Sequence, residues 1–279
     1  MYYRGRFAPS PTGALHAGSL VTALASWLEA RTHNGQWLLR IEDLDPPRED
    51  PTASVLIPKQ LEAHGLVWDG PIRYQSQHSA DYEAALVQLA QHIFPCDCSR
   101  KTLTASHGLH IHPCTPHSQP CALRLRVPDS ATAFNDACVG HYAHNLKYTA
   151  GDFILKRKEG LYAYQLAVVV DDELQGISHI VRGSDLLDNT PRQIYLQQCL
   201  GFNTPHYAHL PLVLNADGQK LSKQNLAPPL NLDTCLENLC FAGQFLGLPP
   251  HKAEDFAHIA DFLKFALQHW QLPRWQYTA

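Results

Sequence analysis

At 279 residues the chain is long enough for one large domain with an insertion, and its 45% hydrophobic content is ordinary for a soluble protein. The formal net charge of −4 excludes a generally basic surface that coats nucleic acid, so any RNA contact must come from a local patch and from shape. No apolar run approaches a membrane span and the MYYRGR start lacks a signal-peptide core, so a cytoplasmic protein with no membrane contact is expected, its eight cysteines reduced and its 17 histidines sensitive to mild acid.

The chain opens on a short strand over residues 2–8, broken by Pro9 and Pro11 and turned through Gly13. A helix starts near His16, because Leu20, Leu24, Trp27 and Leu28 recur on one face. A strand, a Gly/Pro turn and a helix N-terminus form an anion site, where unpaired N–H groups and the positive end of the helix dipole face whatever lies over the turn. Gly18 lets a flat ring or a phosphate lie against the backbone, and His16 adds a donor beside it. Taken alone, the HAGS tetrapeptide more often marks an ordinary βα turn with a solvated histidine.

Residues 36–43, QWLLRIED, read as a buried strand that delivers Glu42 and Asp43 to the carboxyl edge of the sheet, where open α/β sheets bind ligands. A carboxylate there can hold an ammonium group, or can simply cap the following turn. Helices over 52–64 and 79–93 follow as scaffold. Next come Cys96, Cys98, His107, His110, His112, Cys114, His117 and Cys121, a thiol pair followed by further His and Cys that suits tetrahedral zinc and would order an insertion lacking its own core. The plain alternative is a His-rich loop that binds nothing. Residues 123–127 and 152–157 read as strands returning from this insertion.

The run 161–172, LYAYQLAVVVDD, is apolar and β-branched, as expected of a parallel strand covered on both faces. On the residues alone Tyr164 stands at the core edge and Arg182 is a loop charge. Asn189, Thr190 and Pro191 open a helix over 190–200. A strand over 209–215 and an Asp217-Gly218 turn then lead to KLSKQ at 220–224, two lysines flanking Ser222 on a tight loop that can hold a polyphosphate as it gathers charge. Amphipathic helices over 232–246 and 253–269 end the chain, and the isolated Cys138, Cys199, Cys235 and Cys240 read as plain buried thiols.

An HxGS turn near the N-terminus and a KLSK loop late in the chain, in this order and at this separation, resemble the two nucleotide signatures of class I aminoacyl-tRNA synthetases. RFAPSPTG, RIEDLDPPR, VVVDDELQGISHIVRGSD and NTPRQ are similar to the glutamyl branch of that class, and the resemblance spans residues 4–228. It implies a Rossmann-type α/β fold, a doubly wound parallel sheet with a zinc-binding insertion and a helical C-terminal part. The implied divisions are residues 1–95 and 151–200 for the two catalytic halves, 96–150 for the insertion with its return strands, and 201–279 for the KLSKQ region and final helices.

The resemblance also implies site residues. His16, Gly18 and Ser19 would take ATP with Lys220, Ser222 and Lys223, Lys223 above all, acting on the leaving phosphates with Mg²⁺. Arg6, Phe7, Ala8, Pro9, Ser10, Tyr164 and Arg182 would read L-glutamate, and Glu42 would hold its α-amino group. It places the third zinc ligand four residues before the third cysteine, giving a structural Zn²⁺ on Cys96, Cys98, His110 and Cys114, with His112 and Cys121 as alternatives.

About fifty residues follow KLSKQ, too few for the anticodon-binding region of an ordinary member. Within the branch, that truncation together with the CxC insertion implies that a monomer transfers glutamate to the queuosine base in the anticodon of tRNA(Asp). The competing expectations are a short discriminating synthetase that charges a tRNA 3′ end, and a non-catalytic RNA-binding paralogue.

Overall fold

The computed structural model describes residues 2–99, 101–116, 119–215 and 228–277. Strand β1 (Arg4–Phe7) leads through a proline turn into helix α1 (Ala17–Thr32), which returns the chain to β2 (Gln36–Ile41). The two strands pair in parallel from Arg4 opposite Gln36 to Phe7 opposite Leu39. Gly35 makes the return possible, because a Cβ there would stand 2.4 Å from the Tyr3 carbonyl oxygen. Trp37, Leu39 and Ile41 are fully buried beneath α1, and the Trp37 Nε1 donates to Ser26 Oγ at 2.9 Å.

Helix α2 (Ala53–Ala63) separates β2 from the short β3 (Arg73–Tyr74), which extends the sheet beyond β2. Helix α3 (Ser79–Gln88) is shorter than the sequence pattern suggests; the chain leaves it and enters β4 (Ile93–Cys96), whose first residue had read as the helix's last turn. β4 pairs antiparallel with β5 (Ala122–Leu125), the hairpin β6 (Ala131–Asp136) and β7 (Gly140–Asn145) follows, with β6 packed against later elements of the catalytic half, and after the single turn α4 (Leu146–Thr149), β8 (Phe153–Lys156) closes the small sheet against β5.

The apolar run expected as a buried strand is instead helix α5 (Tyr164–Leu174). A short run that is apolar at every position carries no period, and a helix wrapped on several sides reads the same way as a strand covered on both. α5 packs against α3 and β8, and Leu166 through Val170 are all buried. The parallel strand comes next, as β9 (His179–Gly183), so Arg182 sits within a strand and not on a loop. Helix α6 (Thr190–Leu200), with Pro191 in its first turn, packs on α5 and leads to β10 (His206–Leu210), parallel to β9. β10 starts three residues before the expected 209–215 and ends at Leu210, because Pro211 has no N–H to continue the ladder.

β9 lies beside β1, where Ser178 N donates to Arg4 O at 2.9 Å and Arg4 N donates to Ser178 Oγ at 2.9 Å. The three-stranded sheet β3, β2, β1 thus stands edge to edge with the pair β9, β10, and the sequence order of the strands reverses between β1 and β9. Such a switch point opens a crevice at the carboxyl ends of the strands. Helices α7 (Cys235–Phe245) and α8 (Ile259–His269) cover the far side of α1. The tail beyond α8 returns to the sheet, where Trp275 N donates to Cys138 O at 3.1 Å and Trp275 Nε1 donates to His209 O at 2.9 Å. Cys138, Cys235 and Cys240 are buried and Cys199 half-buried; burial pushes the Cys138 thiol up to about 12 and Cys240 up to about 11, which leaves them inert. No described helix is long and apolar enough to cross a membrane.

Candidate active site

The crevice is a cleft of about 840 Å³ whose lining brings together Arg6 through Ser10, His16, Gly18, Ser19, Glu42, Tyr164 and Arg182. Arg6 and Arg182, far apart in sequence, thus line one cleft. Lys220, Ser222 and Lys223 lie outside the described residues.

At one end the cleft is built from the start of α1. Gly13 turns the chain with φ 136°, a conformation that a side chain disfavours. The loop is pinned to the one after β2 by Glu42 N donating to Pro9 O at 3.0 Å and Asp50 N donating to Pro11 O at 2.8 Å. His16 is the N-cap of α1: its Nδ1 accepts from Ser19 N at 3.3 Å, while Ser19 Oγ accepts from His16 N at 3.0 Å. A ring whose Nδ1 accepts carries its proton on Nε2. The first turn of α1 holds no acidic residue, so the positive end of the helix meets the cleft uncompensated.

At the other end, charge comes from buried side chains. Arg6 Nε donates to Asp172 Oδ1 at 3.1 Å, and Arg40 Nη1 donates to the same oxygen at 2.8 Å. Arg40 Nη2 reaches Glu42 Oε1 at 3.2 Å and its Nε stands 3.9 Å from Asp171 Oδ2. Burial works to raise the Asp172 carboxyl, but Arg40 and Arg6 outweigh it and hold that group below the usual range. Glu42 is less compensated: burial raises its carboxyl above the usual range in spite of Arg40 and Arg6. A cation arriving beside Glu42 would relieve that cost.

Arg182 is the odd member. It is 3% exposed, and its guanidinium donates to His209 Nε2 at 3.0 Å, to Thr190 Oγ1 at 2.7 Å and to Tyr164 OH at 3.5 Å. All three partners are neutral groups, and no described carboxylate stands within ion-pair distance. A buried guanidinium without a counter-anion is costly unless an anion is delivered to it. Sequence reasoning missed His209, Thr190, Asp172 and Arg40, which touch the cleft residues from behind. The one signal available was a histidine, an arginine and an aspartate (His209, Arg40 and Asp172) beside otherwise apolar runs.

The cysteine-rich insertion forms a second candidate site. Cys96, Cys98, His110 and Cys114 place their ligand atoms within 4.8 Å of one another, whereas His112 is exposed and neither it nor Cys121 joins the group. His110 Nδ1 pairs with Asp152 Oδ2 at 2.9 Å, which turns Nε2 toward Cys114 Sγ at 3.2 Å, the arrangement in which a carboxylate orients a metal-binding imidazole. Burial and crowding by the other sulfurs push the Cys114 thiol up to about 12. Burial also acts to raise the Cys96 thiol, but the Cys98 N–H and the Arg124 guanidinium, whose Nε lies 3.2 Å from Cys96 Sγ, hold it down. Three sulfurs and one imidazole, closed to further ligands, fit a structural zinc ion.

A parallel sheet with a nucleotide-type helix start and a charged floor at its switch point is consistent with the catalytic domain of a class I synthetase, and the chain belongs to that family: the profile described as tRNA synthetases class I (E and Q), catalytic domain, matches residues 3–111 and 107–236. It is therefore a ligase of this class. Two relatives, both called glutamyl-Q tRNA(Asp) synthetase, are similar over nearly their full length. The one from Neisseria meningitidis serogroup C is 50% identical, covering 98% of this chain and 97% of its own, and the one from Pseudomonas fluorescens is 48% identical over 96% and 92%. The crystal structure of a glutamate tRNA ligase from Elizabethkingia meningosepticum, in complex with its amino acid, superposes with a TM-score of 0.78 at 25% identity, covering all of this chain and 68% of that one.

Proposed function

We propose that the protein activates L-glutamate with ATP and transfers it to the queuosine base in the anticodon of tRNA(Asp). The observation that carries this reading is the near-half identity, along almost the whole chain, to relatives of that name. The chemistry of the cleft agrees with it. ATP lies over the start of α1, its phosphates facing the positive end of the helix at Gly18 and the Nε2–H of His16. Glu42 receives the ammonium of glutamate, and Arg182 and Arg6 receive its carboxylates, with Tyr164 beside Arg182.

An oxygen of the α-carboxylate attacks the α-phosphorus in line, a P–O bond forms, the bond to the bridging oxygen breaks and pyrophosphate leaves. No base is needed, since the nucleophile is already an anion. Lys220 and Lys223, with Ser222 between them, stabilise charge growing on the departing oxygens, and Mg²⁺ accompanying ATP adds to that charge neutralisation. A hydroxyl of the queuosine cyclopentenediol then attacks the anhydride carbonyl, losing its proton as an ester forms and AMP departs; positioning carries much of this step. Cys96, Cys98, His110 and Cys114 hold a structural zinc ion that cross-links the insertion. The protein acts as a cytoplasmic monomer.

The test is transfer of radiolabelled glutamate, with ATP and Mg²⁺, onto tRNA with and without queuosine, the 3′ end blocked in a parallel sample. Label that needs queuosine and survives removal of the 3′-terminal adenosine is expected. Label on queuosine-free tRNA(Glu) would make the protein a short charging enzyme, and the absence of both label and glutamate-dependent pyrophosphate exchange would leave a non-catalytic paralogue. Metal analysis is expected to return one zinc per chain, lost in Cys114→Ser.

A further inference from the structure

Behind Arg182 stands a buried pair that the reaction as described does not use. His209, on β10, is fully buried with Asp136, the last residue of β6. His209 Nδ1 meets Asp136 Oδ2 at 2.6 Å, and its Nε2 faces Arg182 Nε at 3.0 Å and Thr190 Oγ1 at 3.0 Å. The second oxygen of Asp136 is occupied: Oδ1 accepts from Cys138 N and Val139 N at 2.9 Å each and from His209 N at 3.2 Å. The ring also stacks along Tyr207 and meets the edge of Phe134, so it has no room to turn.

These contacts admit one arrangement of protons. Arg182 Nε–H can only donate, so His209 Nε2 must accept, and the ring proton must lie on Nδ1, donated to Asp136. We propose that Asp136 and His209 are positioning residues which, by fixing this tautomer, hold the Arg182 guanidinium in the orientation that receives the carboxylate of the amino acid. The proposal rests on the reading of Arg182 as a substrate anchor. Neither group touches substrate; Asp136 acts through His209, and His209 through Arg182.

The geometry makes Asp136→Asn unusually informative. Three backbone N–H groups require an oxygen at the Oδ1 position, so the amide nitrogen is forced to the side facing His209. A donor there moves the ring proton to Nε2, where it opposes the Arg182 Nε–H. The glutamate KM is expected to rise roughly 10- to 100-fold, the cost of one charge-assisted hydrogen bond, with the ATP KM changed by less than about twofold. His209→Gln keeps an acceptor within reach of Arg182 and has no tautomer to lose, so its effect is small. The double variant is then expected to recover most of the affinity lost in Asp136→Asn alone, a rescue that a merely structural role would not give. Arg182→Lys tests the underlying reading separately.

If Arg182→Lys leaves the glutamate KM unchanged, the anchor reading fails and the proposal with it. If Arg182→Lys raises the KM but Asp136→Asn does not, or if the double variant is worse than either single one, the positioning role alone is overturned. Long-range ¹⁵N–¹H spectra of the unmodified protein decide the matter independently of any variant's folding: a protonated Nδ1 on His209 is required, and a protonated Nε2 refutes the proposal.

Discussion

The two ends of the cleft hold charge by different means. At the start of α1 the groups come from the stretch 13–22, and His16 and Ser19 cap each other three residues apart. At the opposite end, Arg6 meets Asp172 across 166 positions, Arg40 meets it across 132, and His209 meets Asp136 across 73. A local site is assembled whenever the helix forms, and its backbone N–H groups survive most substitutions. A non-local site exists only in the folded chain, and removing one charge strands its partners in a place that water does not reach. If this end takes the amino acid, as proposed, it is the one where substrate recognition and global stability are coupled.

The largest effect on stability is expected at the centre of that coupling. Asp172→Ala leaves the Arg6 and Arg40 guanidiniums without the oxygen they share, which should lower the free energy of unfolding by about 3–5 kcal/mol. Denaturant titration measures this, and a loss below about 1 kcal/mol would mean that Glu42 and Asp171 compensate and that the ends differ less than their geometry suggests.

Acid should act on the same end. Burial, reinforced by the Arg182 charge, lowers the His209 pKa to about 4 against the pull of Asp136, whereas the unfolded chain titrates near 6.5. Between these values the unfolded state binds a proton that the folded state refuses, so stability is intact above pH 6.5 and falls as pH drops toward 4. At pH 5 the loss from His209 is about 2 kcal/mol. His179, lowered to about 4 by burial and by His206 and His33, adds loss of the same sign. Melting temperatures at pH 7.5 and 5 should diverge, and His209→Gln should narrow the gap; an unchanged gap removes His209 from the account.

How much of this was legible beforehand follows from the same contrast. The turn into α1 could be read because its parts are contiguous: prolines, glycine and the apolar period of α1 stand in one line of sequence. Glu42 at a strand end was readable for the same reason. The run 161–172 was misread because burial on all sides erases the period that separates helix from strand, and with it went the register that places Arg182 on β9. Asp136, His209 and Asp172 had no local signature. Their roles depend on pairings across the sheet that no spacing encodes, and only the resemblance to glutamyl synthetases pointed to Tyr164 and Arg182 as neighbours.

A milder change sharpens the distinction between binding and stability within the non-local end. Glu42→Gln preserves volume and leaves Arg40 its bond to Asp172, so the stability loss should stay near 1 kcal/mol. An amide attracts an ammonium far less than a carboxylate does, and the glutamate KM is expected to rise roughly 10- to 100-fold. Steady-state pyrophosphate exchange separates the two numbers; a KM within about twofold of the original would remove Glu42 as the ammonium anchor.

The smallest stability effect belongs to the local end. Asparagine is as good an N-cap as any residue, and its short side chain can accept from Ser19 N as the His16 ring does, so His16→Asn should move the unfolding free energy by less than about 0.5 kcal/mol. On the proposed reading, the same variant also removes the Nε2–H that would face the phosphates. Loss of one oriented donor to developing charge typically costs about 10²- to 10³-fold in rate, so ATP–pyrophosphate exchange should fall by that order while the melting curve is unchanged. A variant that exchanges at the original rate would reduce His16 to a cap. One that exchanges slowly and also melts early would show that the start of α1 is tied into the global fold as tightly as the Arg–Asp network, and the division between the two ends would not hold.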